Sequence, residues 1–110
     1  MGVTKSNLFT ESQNEIAVIA KALANPARIA IIQHLLKAQA CINGDLVQEL
    51  GLAQATISQH LRELKEIGII QGTIEGTRIS YCINGERWNE IKTLFSGLFE
   101  QFNLNDDSCC

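Results

Sequence analysis

Hydrophobic residues recur at helical spacing in five segments of the chain, which predicts five helices. The first helix begins at a capping box formed by Thr10 and Gln13, or by Ser12 and Glu15, and runs to about Ala24. Its apolar stripe is expected to face the core and consists of Ile16, Ile19, Ala20 and Leu23.

The second helix is predicted over about residues 26–38, because Asn25 suits an N-cap and Pro26 suits the first helical position. Its inward stripe is predicted to contain Ile29, Ile32, Leu35 and Leu36. Residues 40–42 are expected to form a connection. A short third helix follows, capped by Asn43 and ended by Gly51.

The fourth helix, over residues 54–66, has two different faces. Its apolar side is predicted to be buried and contains Ile57, Leu61 and Leu64 at spacings of four and three. The opposite side carries Ala55, Ser58, Gln59 and Arg62, and it is rich in amide and hydroxyl groups. Ala53 falls at the N-cap, where alanine is less stable than serine by about 1 kcal/mol.

Residues 69–75 and 77–83 are predicted to be two strands of a β-hairpin with its tip at Glu75 and Gly76. In the second strand apolar Ile79, Tyr81 and Ile83 alternate with the residues between them. Asn84 can cap the last helix. That helix carries a broad apolar stripe, which we interpret as half core and half dimer interface, paired with the first helix; its members are Trp88, Ile91, Leu94, Phe95, Leu98, Phe99 and Phe102.

A short helix, a glycine turn, a polar-faced helix and a hairpin are the parts of a winged helix-turn-helix. The predicted fold is therefore mainly α with a small β-hairpin, four helices before the hairpin and one after it, and a homodimer formed through the first and last helices. Residues 1–110 are expected to be one domain, with flexible tails at 1–9 and 103–110.

Composition restricts the class of protein further. The chain has 110 residues, of which 45% are hydrophobic, but no apolar run long enough to span a membrane. The first seven residues lack the apolar core of a signal peptide, so we expect a cytoplasmic protein. The four cysteines are then expected to be reduced, without a structural disulfide framework.

The polar face of the fourth helix has the side chains that recognise base edges in the major groove of DNA. The net charge of −3 is unusual for a DNA-binding protein. Within residues 54–81 the basic side chains (Arg62, Lys65 and Arg78) are balanced by the acidic ones (Glu63, Glu66 and Glu75). Because phosphate attraction supplies most non-specific affinity, we expect that affinity to be modest.

Several segments carry a family resemblance in the right order. Residues 21–32, KALANPARIAII, resemble the Asn-Pro-x-Arg signature of the ArsR/SmtB repressors. Residues 45–50 and 54–64 resemble that family's DNA-reading element, and Gly68, Gly76 and Tyr81 resemble its wing. The similarity extends over about residues 10–102.

The resemblance implies a homodimeric repressor that binds an inverted-repeat operator in double-stranded DNA and is released by an inducer. By position, Gln54, Ala55, Ser58 and Gln59 match the base-reading residues. Thr56, Arg62 and Arg78 are candidates for contacts to the DNA backbone, Arg78 from the wing. No cofactor is expected to be needed for DNA binding, and no membrane partner is expected.

The inducer has to be inferred from the cysteines, since residues 84–104 lack the histidines of a zinc-type site. Family members that sense arsenic carry Cys-x-Cys; here Cys41 matches the first position and Asn43 replaces the second. Cys41, Cys109 and Cys110 are therefore predicted to bind As(III), Sb(III) or another thiophilic ion through three sulfurs. Cys82 is expected to be structural.

Two alternatives remain open at this point. Cys41 and a tail cysteine can instead form a disulfide or polysulfide, which would give a redox or persulfide sensor. The near-zero net charge of residues 54–81 would also suit a winged-helix module that binds a protein instead of DNA. An enzyme is not expected, because no Ser-His-Asp set, phosphate-binding glycine loop or carboxylate pair is present; His60 near Ser58 belongs to the surroundings of the DNA-facing surface.

Overall fold

The computed structural model describes residues 8–43, 50–75, 78–102 and 104. Seven elements follow one another in this part of the chain: α1 (Glu11–Leu23), α2 (Pro26–Ala38), β1 (Ile42–Asn43), α3 (Gln54–Glu66), β2 (Ile70–Glu75), β3 (Arg78–Ile83) and α4 (Gly85–Phe99). The predicted fold class, mainly helical with a small hairpin before the last helix, is confirmed. The predicted third helix falls largely on residues 44–49, outside the described residues.

Local capping chemistry determines where the helices begin. Thr10 Oγ1 accepts from the backbone N–H of Gln13 at 3.0 Å, and Gln13 Oε1 accepts from the N–H of Thr10 at 2.9 Å, so the first of the two predicted capping boxes is the real one. Asn25 caps α2 and Asn84 caps α4 through their side-chain oxygens, as predicted. Ala53 precedes α3 without any side-chain cap hydrogen bond.

The core lies between α2, α3 and one side of the sheet. Its fully buried members include the predicted apolar face of α3, and the set consists of Ile19, Ile31, Leu35, Ile57, Leu61, Leu64, Ile69, Ile70 and Tyr81. The predicted stripe of α2 was wrong at Ile29, which is 37% exposed, while Ile31 is fully buried. Because Ile31, Ile32 and Leu35 also recur at helical spacings, the sequence pattern alone could not decide which side of α2 faces the core.

The sheet has three antiparallel strands in the order β1-β3-β2, one more than the predicted hairpin. Ile42 pairs with Tyr81 across β1 and β3, whereas the sequence predicted only a connection there. A two-residue strand is too short to show an alternating pattern. On the other side of β3, Gly72 pairs with Tyr81 at a φ of 132°, a conformation that favours glycine.

The last helix is attached to α1 and to the turn after α3. Arg87 Nη1 lies 2.7 Å from Glu15 Oε2, and Arg87 Nε donates to the carbonyl of Ile67 at 3.3 Å. The hydrogen bond to Glu15, followed by that to Glu90, raises the pKa of Arg87 against the effect of burial. In the described part of the chain, no helix is both long and apolar enough to cross a membrane.

Candidate nucleic-acid interface

The outer side of α3 is a polar surface attached to a buried apolar one. Ile57, Leu61 and Leu64 are completely buried and fix the rotation of the helix against the core. The outward residues, here called the reading surface, are exposed except for the half-buried Ser58; they are Gln54, Ala55, Thr56, Ser58, Gln59 and Arg62. All six predicted site residues of this helix are therefore outside the core and at least partly accessible.

Two hydrogen bonds orient the amides of the reading surface. Gln54 Nε2 donates to Ser58 Oγ at 3.2 Å, and Gln59 Nε2 donates to Glu63 Oε2 at 3.2 Å. Both pairs are separated by one helical turn, where side chains meet on the same side of a helix. The glutamine amides are thus held along the helix axis, and a base edge would meet side chains that are already partly ordered.

Arg28 of α2 links α3, here called the reading helix, to the rest of the fold. Its Nε donates to His60 Nδ1 at 3.1 Å, its Nη1 donates to the carbonyl of Ala22 at 3.1 Å, and its Nη2 is paired with Glu63. We call Arg28, His60 and Glu63 the Arg28 anchor. The anchor connects α2 to α3 directly beneath Gln59, because Glu63 contacts both Arg28 and Gln59.

The anchor corrects the predicted place of His60. Only 13% of its side chain is exposed, so His60 lies between α2 and α3 and not on the DNA-facing surface. The pKa of Glu63 is lowered first by the hydrogen bond from Gln59 and then by the charges of Arg28 and His60, against the opposing effect of burial. Sequence spacing gave no signal for this cluster, since Arg28 and Glu63 are 35 positions apart.

The hairpin predicted as a wing follows α3 directly. Glu75 pairs with Arg78 at the last register position before the tip, and Gly76 and Thr77 lie outside the described residues. The side chain of Arg78 also lies outside the described part, so its contact with DNA stays a prediction. The strands place residues 75 and 78 at the far end of the hairpin from the core.

The redox state and pairing of the cysteines differ from those predicted. All four thiols were expected to be reduced and Cys82 merely structural, but Cys41 and Cys82 are joined by a disulfide with Cα atoms 4.2 Å apart. The pairing follows from the unexpected strand β1, because Ile42 opposite Tyr81 places Cys41 beside Cys82. Cys109 and Cys110 lie outside the described residues, so the three-sulfur site stays a prediction. Among described residues no group of three His, Cys, Asp or Glu side chains could hold a metal.

An exposed apolar face runs along α1 and α4. Ile91 is buried, whereas Val18 is 56% and Phe99 is 67% exposed. Other large apolar side chains that are exposed near these two helices are Leu8, Phe9, Leu98, Phe102 and Leu104. A groove of about 400 Å³ between the two helices includes Ile16 and Leu94 in its walls. This arrangement agrees with a last helix that belongs half to the core and leaves half for a partner.

The chain is similar in sequence and fold to known regulatory proteins. The family model "Bacterial regulatory protein, arsR family" matches residues 25–71. The HTH-type transcriptional repressor SmtB of Mycobacterium tuberculosis is 41% identical over 61 residues, which is 56% of this chain but only 44% of that protein. An uncharacterized HTH-type transcriptional regulator of Methanocaldococcus jannaschii is 35% identical over 88 residues, or 80% of this chain and 99% of that protein. The solved structure of HlyU from Vibrio cholerae superposes with a TM-score of 0.63 at 26% identity, covering 83% and 98% of the two chains.

Proposed function

Because the chain belongs to the arsR family of bacterial regulatory proteins, we propose that it is a homodimeric transcriptional repressor that binds an inverted-repeat operator in double-stranded DNA. The observation that carries the proposal is the reading surface. Polar groups suited to base edges are exposed on one side of α3, while the other side is buried and held by the Arg28 anchor.

In the proposed complex, α3 of each protomer lies in the major groove. Gln54 and Gln59 are placed to pair with adenine edges, with Ala55 and Ser58 beside them, and this choice of bases follows from their amide groups. Thr56, Arg62 and Arg78 are assigned to the phosphate backbone, where their role is to fix the register of the protein on the duplex.

A second copy of the chain is the proposed occupant of the exposed apolar face on α1 and α4. Two-fold pairing through these helices would set the separation of the two reading surfaces, and with it the spacing of the operator half-sites. The exposure of Phe99 and Val18 supports this, because large apolar patches on a soluble chain usually mark an interface.

The test starts with selection of bound duplexes from a random pool, followed by fluorescence anisotropy on the selected sequence. An inverted repeat is expected, with an affinity loss of about tenfold or more for Gln59→Ala, as for loss of one base contact. Lys92→Ala, an exposed position on α4, is the control that should bind normally. A chain that selects no sequence would contradict DNA reading and favour the alternative of a protein-interaction module.

For the inducer, we propose ligation of a thiophilic ion such as As(III) or Sb(III) by Cys41 together with Cys109 and Cys110. Soft sulfur ligands suit these ions, and Cys41 would first have to be released from Cys82. Operator affinity should fall on addition of As(III) to the reduced protein. The fall should be absent in Cys41→Ser and in a chain ending before Cys109. Unchanged affinity of the reduced wild type would contradict metalloid sensing.

A second candidate response is oxidation of thiols, including their conversion to persulfides. One observation favours it over metalloid binding: Cys41 is already paired with another cysteine. Mass spectrometry of the protein after separate exposure to As(III), persulfide and peroxide distinguishes the candidates, because each adds or removes a different mass.

A further inference from the structure

Cys41 and Cys82 lie at the two ends of the segment that contains α3 and the hairpin, here called the reading part of the fold. Cys41 precedes β1 and Cys82 belongs to β3, so all residues between them, including α3 and the hairpin, form one loop closed by the disulfide. A groove of about 380 Å³ opens beside the pair. Apolar side chains from α2 and β3 form much of its wall, namely Leu35, Leu36 and Ile83.

We propose that Cys41 and Cys82 are a reversible oxidation site within the reading part of the fold, with small organic hydroperoxides as the oxidant. This inference rests on the proposed DNA-binding function and specifies its regulation. It places the redox chemistry at the sheet, and it requires neither the tail cysteines nor a metal ion.

The two cysteines are suited to different steps. Cys41 is exposed, so it is the sulfur that an oxidant can reach. Cys82 is half-buried, and Gln71 Nε2 lies 3.9 Å from its Sγ as a hydrogen-bond donor. The Cα atoms of the two cysteines are 4.2 Å apart, so Cys82 is within reach to attack the sulfur of Cys41 in the second step.

The chemistry balances without another reactant. The Cys41 thiolate attacks the terminal oxygen of the hydroperoxide, the O–O bond breaks, and the alkoxide takes a proton to leave as an alcohol. Cys41 is then a sulfenic acid. The Cys82 thiolate attacks its sulfur, an S–S bond forms, and hydroxide leaves as water. The thiols lose two electrons, and these reduce the peroxide. The apolar groove favours an organic hydroperoxide over the more polar hydrogen peroxide.

Oxidation should strengthen operator binding. The disulfide fixes β1 to β3, and backbone hydrogen bonds join β3 to β2. The hairpin and α3 are therefore held as one unit, with the reading surface exposed. A surface ordered before binding loses less entropy on binding. Where thiols are kept reduced, a disulfide that does form is usually transient and redox-sensing, which agrees with a reversible role.

The chemical test treats the reduced full-length protein with cumene hydroperoxide or hydrogen peroxide and follows the products by mass spectrometry. Loss of two hydrogen atoms and a cross-linked peptide containing Cys41 and Cys82 are expected, with a faster reaction for cumene hydroperoxide. The double variant Cys109→Ser/Cys110→Ser is the control and should react like wild type. Equal rates for the two peroxides would overturn the role of the groove, and a cross-link to the tail instead would overturn the site.

The functional test measures binding to the selected duplex for the oxidised and reduced forms. We expect the oxidised form to bind about fivefold more tightly or better, the lower range of usual coupling. Cys41→Ser and Cys82→Ser should bind the duplex equally well before and after peroxide treatment. In wild type, dithiothreitol should lower the affinity and a second oxidation should restore it. Equal or weaker binding of the oxidised form would overturn the regulation. Absence of binding by both forms would contradict the proposed function instead, while the mass measurement would still decide the oxidation site.

Discussion

Arg28→Met should destabilise the fold and leave the exposed arginine of the reading surface untouched. The change keeps the aliphatic stem and removes every donor of the guanidinium. The carbonyl of Ala22 and Nδ1 of His60 then lose partners that lie 3.1 Å away in both cases. At about 1 kcal/mol for each bond, the loss is about 2 kcal/mol before any contribution from the ion pair with Glu63.

The ion pair is left out of this sum because 35% of the Glu63 side chain is exposed and water can replace the guanidinium there. Two kcal/mol corresponds to a fall in Tm of about 10 °C for a domain of this size. Urea unfolding followed by circular dichroism gives the free energy of unfolding directly. All variants are measured at one fixed protein concentration, because the stability of the proposed dimer would depend on it.

Arg62→Met is the matched control, since it removes an exposed arginine from α3. It should change the free energy of unfolding by less than about 0.5 kcal/mol, as surface substitutions usually do, but should weaken operator binding. The two arginines therefore separate stability from DNA contact. Equal loss of stability in both variants, or an Arg28→Met protein as stable as wild type, would refute the assignment of Arg28 as an anchor.

Three further predictions concern single positions. Ala53→Ser should add the missing N-cap of α3 and raise stability by about 1 kcal/mol in thermal unfolding; no gain would show that the cap is met in another way. Gly72→Ala should destabilise by about 2 kcal/mol or more, because its Cβ would overlap Ser80 O and lie 2.7 Å from Tyr81 Cα, whereas Gly85→Ala, with open space around it, should not. Glu63 has a pKa below its ordinary 4.5, so its stabilising contribution is present above that value and is lost as pH falls through the folded pKa. Urea midpoints should therefore fall less on acidification for Glu63→Gln than for wild type, and equal falls would contradict the shift.

Features set by nearby residues could be predicted from the sequence. The N-caps at Thr10, Asn25 and Asn84 depend on groups within three residues of each other, and all three are present. The two faces of α3 were equally predictable, because its large apolar residues form only one stripe and the opposite side carries none larger than Ala55. Short-range chemistry and a single strong periodicity thus gave both the fold class and the reading surface.

Features that depend on distant residues could not be predicted in the same way. The rotation of α2 was ambiguous because apolar residues occupy more than one side of it, and only packing against α3 decides that Ile31 is buried and Ile29 is not. The pairing of Cys41 with Cys82 needed a two-residue strand, whose pattern is invisible in the sequence. The Arg28 anchor likewise joins residues that have no periodic relation to one another.

These distant contacts hold the reading helix from two directions. The Arg28 anchor joins α3 to α2 near His60, and the disulfide joins the segment between α2 and β1 to β3, which follows α3 in the chain. Because the chain has a net charge of −3, we expect long-range attraction to phosphate to contribute little, so that DNA affinity would have to come from well-placed contacts. Directed contacts are sensitive to small displacements of the helix that carries them. If α3 binds DNA as proposed, we expect substitutions at these two links to change that binding without altering any of the proposed base-contacting residues.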